Sequence, residues 1–160
     1  MLTDDLAEFE AAEYENRLSR LRTEMAAAGL DAVLINTDTN HRYFTGHWTH
    51  RWMHKFTSLF AILPLAHEPV LVVPPLETGM CELDCWVEDI RTYLPPIRVQ
   101  AGVELLTEPI KEFGLENGQI GAEHGGVLWN RMPHDDFAHL KSNLPRLPFT
   151  DAARILWKTR

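Results

Sequence analysis

The residues of this sequence that are best suited to chemistry or binding lie between Asn40 and Lys55. This segment holds four histidines, two arginines and three large aromatic rings, namely His41, His47, His50, His54, Arg42, Arg51, Tyr43, Trp48 and Trp52. A segment that only connects two strands is usually rich in Gly, Pro, Asn, Asp and Ser. The composition therefore indicates a contact surface, which could meet a substrate, a partner subunit or both.

A metal site is the first chemistry to consider, because His47, His50 and His54 would share one face of a helix. Zinc sites have three or four protein ligands, which further hydrogen bonds hold in place. The sequence offers neither an obvious fourth ligand nor an H-E-x-x-H pattern, and the segment has no clear helical periodicity. We therefore interpret these histidines as part of the contact surface, and we predict no metal ligand in this sequence.

Recognition by aromatic and basic side chains suits the same segment better. Tyr43, Trp48 and Trp52 can enclose apolar or cationic groups. Arg51 can hold a carboxylate through two N–H groups, and the neighbouring histidines can donate or accept a proton near neutral pH. A simpler alternative stays open, in which Tyr43 and Phe44 belong to the core and the remaining residues form an exposed loop.

Other reaction classes have weaker support. The chain has no G-x-S-x-G motif, and the Gly125-Gly126 pair lacks the further residues of a phosphate-binding loop. Cys81 and Cys85 are four residues apart, and free reduced thiols are the favoured interpretation for a cytosolic chain. A nuclease-like site stays an alternative, with carboxylates drawn from Asp31, Asp38, Asp89 and Glu123.

Length and composition fit one globular domain. The 160 residues are 45% hydrophobic and 24% charged, and no apolar run approaches the ~18 residues that a membrane helix needs. The first residues, Met-Leu-Thr-Asp-Asp, lack the basic and apolar regions of a secretory signal. A net charge of -8 argues against nucleic acid as a partner, because phosphate binding needs clustered basic residues. We therefore predict a cytoplasmic protein that binds neither nucleic acid nor membrane.

Hydrophobic patterning predicts an α/β fold. Helices are predicted at residues 9–28, 76–85, 103–113, 133–143 and 152–158, and strands at 31–36, 56–63, 70–73, 87–93, 119–123 and 147–150. The second and third strands would form a hairpin, which makes the sheet mixed. Gly29 is expected to end the first helix and Asp151 to cap the last one, while Pro109 either kinks its helix or lies in its first turn.

Several motifs, taken in order, resemble the N-terminal domain of the creatinase/prolidase family, the pita-bread hydrolases that include Xaa-Pro aminopeptidases and dipeptidases. The motifs are the helix with Arg17, Leu21 and Met25, then Gly29 to Leu34, Asn40 to Gly46, Ile120 to Glu123, Phe149 to Ala152, and Arg160. The resemblance implies a mixed, six-stranded α/β domain at residues 1–150. Residues 151–160 would then begin the linker to a C-terminal catalytic domain.

The resemblance also implies a function. Peptidase members of the family carry two divalent metal ions, such as Mn, Co or Zn, in the C-terminal domain, whereas creatinase-type members work without metal. The present chain is thus expected to contain no catalytic residue and no cofactor. It would take part in a homodimer, in which the N-terminal domain of one subunit covers the active site of the other and contacts its peptide or small-molecule substrate.

In the family, such contacts come from the segment after the Tyr-Phe-Thr-Gly motif, which here runs from His50 to His54. Creatinase-type enzymes use an aromatic residue and an arginine from this loop to reach the substrate carboxylate. Trp52 stands at the aromatic position, and Arg51 or His54 would supply the cation, with His50 beside them. The preferred parent is an Xaa-Pro dipeptidase or aminopeptidase. A creatinase-like or ectoine-hydrolase-like amidinohydrolase or amidohydrolase, and a free-standing ligand-binding or scaffold domain, stay as alternatives.

Overall fold

The computed structural model describes residues 7–53, 58–93, 100–125 and 131–160 of the chain. The strands in these residues are β1 (Ala32–Ile35), β2 (Phe60–Pro64), β3 (Val70–Val73), β4 (Asp89–Thr92), β5 (Ile120–Ala122) and β6 (Phe149–Asp151). The helices are α1 (Ala11–Ala28), α2 (Asp38–Thr45), α3 (Pro75–Asp84), α4 (Gln100–Glu112), α5 (His134–Asn143) and α6 (Ala153–Thr159). Short 3-10 helices occupy His50–Met53 and Leu115–Asn117.

The strands form one mixed sheet with the order β4-β3-β2-β1-β5-β6. β1 pairs antiparallel with β2, where Leu34 lies opposite Ile62, and parallel with β5, where Val33 lies opposite Gly121. β2 and β3 form the predicted antiparallel hairpin, while the β3–β4 and β5–β6 pairs are parallel. The prediction of a mixed, six-stranded α/β sheet flanked by helices is confirmed.

Alternate side chains of β1 enter two hydrophobic cores, because both faces of the strand are buried. Val33 and Ile35 pack in the first core, which α1, α3 and α6 cover. Leu34 packs in the second core, which lies under α4 and α5. Phe44 of α2 and Trp52 of the first 3-10 helix both belong to the first core. The first core therefore supports the segment that the sequence analysis interpreted as a contact surface.

The five predicted helices are confirmed within three residues of their ends, and three local details become clear. Gly29 ends α1 in the left-handed conformation, as predicted. Pro109 lies inside α4, because the helix begins well before it, at Gln100. Ala152 is the N-cap residue of α6 in place of Asp151, but Asp151 still accepts a hydrogen bond from the Ala153 backbone N–H at 2.9 Å. Within the residues described, no helix is long and apolar enough to cross a membrane.

The sequence predicts no helix between the first strand and Gly46, but α2 occupies most of this segment. Asn40, His41 and Thr45 are buried on this helix, so its buried face is largely polar and has no hydrophobic periodicity. The described part of the segment after Gly46 is also not one continuous α-helix on which the histidines could align. His47 follows α2, and His50 begins the 3-10 helix. His54 lies outside the described residues, as do the first two positions of the predicted strand at 56–63.

Candidate ligand-contact surface

We define the contact surface as the segment from His47 to Met53 together with the face of α3 that supports it. The segment begins where Gly46 ends α2 with a positive φ of 84°. A Cβ at this position would lie 2.7 Å from the backbone oxygen of Asp84, so only glycine fits both the conformation and the space. The glycine of the sequence motif therefore brings the segment against the end of α3.

Asp84, the last residue of α3, fixes the beginning of the segment. Its Oδ1 lies 2.9 Å from His47 Nδ1, and its Oδ2 accepts the Trp48 backbone N–H at 3.2 Å. Thr45 Oγ1 accepts the His47 backbone N–H at 3.2 Å. Two helices thus hold the first residues after Gly46, and the His47 ring is fully buried between them.

Glu77, in the first turn of α3, fixes the middle of the segment. Its side chain is only 4% exposed, and Oε1 forms an ion pair with Arg51 Nε. Its other oxygen, Oε2, lies 3.3 Å from His47 Nε2, within ion-pair distance but outside hydrogen-bond geometry. The Arg51 side chain keeps 31% of its surface exposed. Arg51 is therefore both anchored and accessible to a ligand.

Trp52, the predicted aromatic contact residue, is buried in this conformation. Its ring packs edge-on against His41 with 5.3 Å between ring centres, and Arg131 lies over the ring at 5.4 Å. Arg131 also donates a hydrogen bond to the Trp52 backbone oxygen. The exposed ring of the surface is Trp48, which packs edge-on against His50 at 4.4 Å. Trp52 thus anchors the 3-10 helix, and Trp48 faces solvent above it.

Two of the four predicted contact residues, His50 and Arg51, line one groove. The groove has a volume of about 510 Å³ and is completed by Trp48, Thr49, Glu77 and Met80. Trp52 lies in the core, and His54 lies outside the described residues. Sequence reasoning missed Glu77 and Asp84, although a spacing of seven residues places both on one face of a helix. That spacing identifies a shared face but not the loop that packs on it.

His41 lies behind the surface and is fully buried. Burial lowers its pKa to about 3, and the neighbouring His47 acts in the same direction. Its Nδ1 lies 3.4 Å from Thr45 Oγ1, while in the described part of the chain Nε2 has no hydrogen-bond partner. His41 is therefore neutral near pH 7, and its ring packs from α2 against Trp52.

The two cysteines are free thiols, as predicted. Burial raises the pKa of Cys81 far above its ordinary value and that of Cys85 to about 12. The thiolate is the nucleophilic form, and it is scarce at neutral pH for both residues. Cys81 in α3 and Cys85, which follows the helix as its C-cap residue, therefore act as packing residues.

The carboxylates considered for a nuclease-like site do not converge. Glu123 is buried, and the hydrogen bonds it accepts within the described residues include those from the backbone N–H groups of Asn36 and Thr37 and from the side chains of Thr37 and Asn40. Asp89 instead pairs with Arg91 at 2.8 Å. No group of three or more His, Cys, Asp or Glu side chains that could hold a metal ion occurs in the described residues. The geometry gives the nuclease-like alternative no support.

Comparison with known proteins gives consistent results in sequence and fold. A family model described as the creatinase/prolidase N-terminal domain matches residues 17–160. An ectoine hydrolase from Halomonas elongata is 28% identical over 156 residues, a match that covers 92% of this chain and 37% of the relative. The chain thus spans little more than a third of the length of that protein.

Solved structures of peptidases share the fold at lower sequence identity. An Xaa-Pro aminopeptidase structure from Streptococcus pyogenes has a TM-score of 0.70 and 17% identity, and the match covers 94% of this chain and 100% of that one. A prolidase from Thermococcus sibiricus has a TM-score of 0.74 and 15% identity, with coverage of 94% and 38%. The N-terminal domain of the cytoplasmic peptidase PepQ from Mycobacterium tuberculosis has a TM-score of 0.67 and 20% identity, with coverage of 90% and 98%.

Proposed function

The chain belongs to the creatinase/prolidase N-terminal domain family, and we propose that it is the non-catalytic N-terminal domain of a hydrolase of the Xaa-Pro dipeptidase or aminopeptidase type. Its role is to assemble a homodimer and to cover the active site of the partner subunit. The observation that supports this proposal is the position of Arg51. Glu77 anchors this residue at the edge of a groove, and part of the Arg51 side chain stays exposed.

The proposed substrate contact lies at this groove. Arg51 holds the carboxylate of a peptide substrate through two N–H groups, and His50 approaches the same ligand beside it. Trp52 and His54 complete the proposed set of contact residues. Trp52 is buried in this conformation, so its contact with a ligand requires the segment to shift.

The partners follow from the same proposal. The first is the C-terminal catalytic domain of the parent protein, which would carry two divalent metal ions such as Mn, Co or Zn. The second is the other subunit of the homodimer, and no step of hydrolysis is assigned to the present chain. The proposed location is the cytoplasm, in line with the description of the mycobacterial structure as part of a cytoplasmic peptidase.

A second candidate is the N-terminal domain of an ectoine-hydrolase-like or creatinase-like enzyme. The observation that favours it is the 28% identity to an ectoine hydrolase, against 15–20% for the three peptidase structures compared above. Ectoine also carries a carboxylate, so Arg51 would keep the same task. The two candidates differ in the reaction of the catalytic domain and not in the role of this one.

Hydrolase assays on the purified chain test the non-catalytic role. With added Mn, Co or Zn, we expect no release of proline from glycyl-proline and no loss of ectoine above the rate with metal ions alone. Cleavage that depends on the protein would contradict the proposal.

The reading frame beyond Arg160 separates the candidate parents. Five metal ligands in the order Asp, Asp, His, Glu and Glu would support the peptidase, and their replacement would support the creatinase-like enzyme. A stop codon directly after Arg160 would refute both and leave a free-standing ligand-binding or scaffold domain.

Mixed dimers of the longer protein test whether the substrate contact comes from the partner subunit. Arg51→Ala should lower kcat/KM by roughly a hundredfold, because a charge-assisted contact is lost. Arg146→Ala removes an exposed arginine elsewhere and should have no effect. Mixing Arg51→Ala subunits with subunits inactivated in the catalytic domain should restore part of the activity. No restoration would mean that each domain serves only its own chain.

A further inference from the structure

Glu77 uses both oxygens of its carboxylate on the segment that forms the contact surface. One oxygen pairs with Arg51 Nε, and the other lies 3.3 Å from His47 Nε2. A buried carboxylate is costly unless donors or positive charge surround it. Since both of its neighbours lie in the segment, the position of Glu77 and the conformation of the segment depend on each other.

His47 extends this arrangement to the end of α3. Its ring presents Nε2 to Glu77 and Nδ1 to Asp84, which lies 2.9 Å away. Glu77 and Asp84 are seven residues apart, so they stand two turns apart on one face of the helix. These contacts therefore form a continuous polar row, in the order Asp84, His47, Glu77, Arg51. It begins in the protein interior and ends at the groove.

Arg51 is the only member of this row with a substantially exposed side chain among the four described residues. Glu77 engages Nε, and within the described part of the chain no acceptor engages the two terminal nitrogens. A guanidinium held through Nε keeps its plane fixed while its terminal N–H groups stay available for a second carboxylate. Fixing the side chain beforehand also reduces the conformational entropy that a ligand must remove.

We propose that Glu77 is the positioning residue of the contact surface, which sets the guanidinium of Arg51 so that its terminal nitrogens bind a carboxylate in the groove. The His47 ring, which Asp84 contacts through Nδ1, packs against the second oxygen of Glu77. The inference rests on the proposed function for the origin of that carboxylate, which is the substrate bound to the partner subunit. The positioning itself is a property of the present chain and can be measured on it.

Side-chain NMR on the ¹⁵N-labelled chain tests the positioning. The Nε–Hε signal of Arg51, assigned by its loss in Arg51→Lys, should exchange with water more slowly than that of the exposed Arg146. Glu77→Gln should accelerate the exchange, whereas Glu82→Gln, which changes an exposed glutamate of the same helix, should leave it unchanged. Exchange of Arg51 as fast as that of Arg146 would overturn the proposal.

A titration with acetate tests the ligand class. Acetate should shift the Arg51 Nε–Hε and Trp48 indole signals, and neutral acetamide should not. Glu77→Gln should weaken acetate binding by roughly tenfold, because the guanidinium of Arg51 is no longer held in the orientation that binds a carboxylate. Equal shifts with acetate and acetamide, or equal acetate affinity in both proteins, would refute the inference.

Two further results keep the test decisive. If far-UV circular dichroism shows that Glu77→Gln does not fold, the proposal is tested on the unmodified chain alone. The two measurements are then the exchange rate of the Arg51 Nε–Hε signal and the titrations with acetate and acetamide. If acetate binds as expected but Arg51→Ala leaves the kinetics of the longer protein unchanged, the positioning stands and the proposed substrate contact is wrong.

Discussion

Glu123 shows how a single buried carboxylate organises a helix start far away in sequence. It accepts the backbone N–H groups of Asn36 and Thr37 at 2.6 and 2.8 Å and the Asn40 side-chain amide at 2.6 Å. It thus pairs with backbone donors of the turn that leads into α2, one of them at the N-cap residue Thr37, and with a side chain of the first helical turn. Asn40 then accepts a hydrogen bond from Arg160 at 3.1 Å, so residues from three of the sequence motifs meet at one point.

Replacing Glu123 by glutamine should destabilise the chain by about 2 to 4 kcal/mol, because an NH₂ group would then face backbone donors in a buried site. The free energy of unfolding in urea measures the effect. Glu88→Gln, at an exposed position, is the control and should change stability by less than about 0.5 kcal/mol. Similar stabilities of the two variants would mean that Glu123 is not the anchor of α2.

His41 should make stability depend on pH. Its pKa is about 3 in the folded protein and 6.5 in a model peptide, so the unfolded chain binds a proton first as the pH falls. The stability present above pH 6.5 is therefore lost toward pH 3, by about 1.4 kcal/mol per pH unit, or about 2 kcal/mol at pH 5.

Urea unfolding of His41→Gln at pH 7 and pH 5 measures this contribution. The variant should lose less stability on acidification than the unmodified chain does. His134→Gln, which removes an exposed histidine, should keep the original pH dependence. If His41→Gln loses as much stability at pH 5 as the unmodified chain, the buried imidazole is not the group responsible.

At the scale of elements, Gly46, which ends α2, is more tightly constrained than Gly29, which ends α1. Gly29 and Gly46 both have positive φ, but a Cβ at Gly29 would meet nothing within 4 Å. At Gly46 it would lie 2.7 Å from the Asp84 backbone oxygen and 3.0 Å from Tyr14 Oη. Gly29→Ala should therefore cost about 1 kcal/mol from backbone strain alone, and Gly46→Ala about 3 kcal/mol.

Thermal and urea unfolding of the two glycine variants provide the comparison. The ¹H–¹⁵N spectrum of Gly46→Ala should also change at the backbone signals of His47 and Trp48, because the segment must move away from α3. Equal losses of unfolding free energy for the two variants would mean that the close approach of Gly46 to Asp84 does not make the alanine substitution more costly.

Elements with one simple periodicity were predictable from the sequence, and α2 was not. The strand around Val33 is short and apolar on both faces, and α1 buries residues at helical spacing, so each has its own local signal. The buried face of α2 includes Asn40 and His41, whose partners lie on other elements. A buried polar face becomes favourable only when those partners are in place. The row from Asp84 to Arg51 could not be predicted for the same reason.

On the scale of the whole molecule, α2 connects the contact surface to the last residues of the chain. Tyr43 Oη donates a hydrogen bond to the Thr159 backbone oxygen at 2.9 Å, near the end of α6. At the opposite end of the surface, Gly46 packs against Asp84 of α3. Residues that would meet a ligand and residues that would lead into a following domain therefore belong to one packed body. This arrangement suits a domain that must hold a loop in a fixed place relative to its neighbours.

The predicted division into a domain at 1–150 and a linker from 151 to 160 leads to a test of α6. Leu156 is fully buried in the first core, whereas the next residue, Trp157, is 44% exposed. Leu156→Ala should lower the free energy of unfolding by about 3 kcal/mol, through lost burial and the cavity left behind. Trp157→Ala should cost less than about 1 kcal/mol, although it removes a larger side chain. Urea unfolding of both variants gives the answer. A small loss for Leu156→Ala would make α6 a linker attached to the surface, whereas the expected loss makes it part of the domain whose core supports the contact surface.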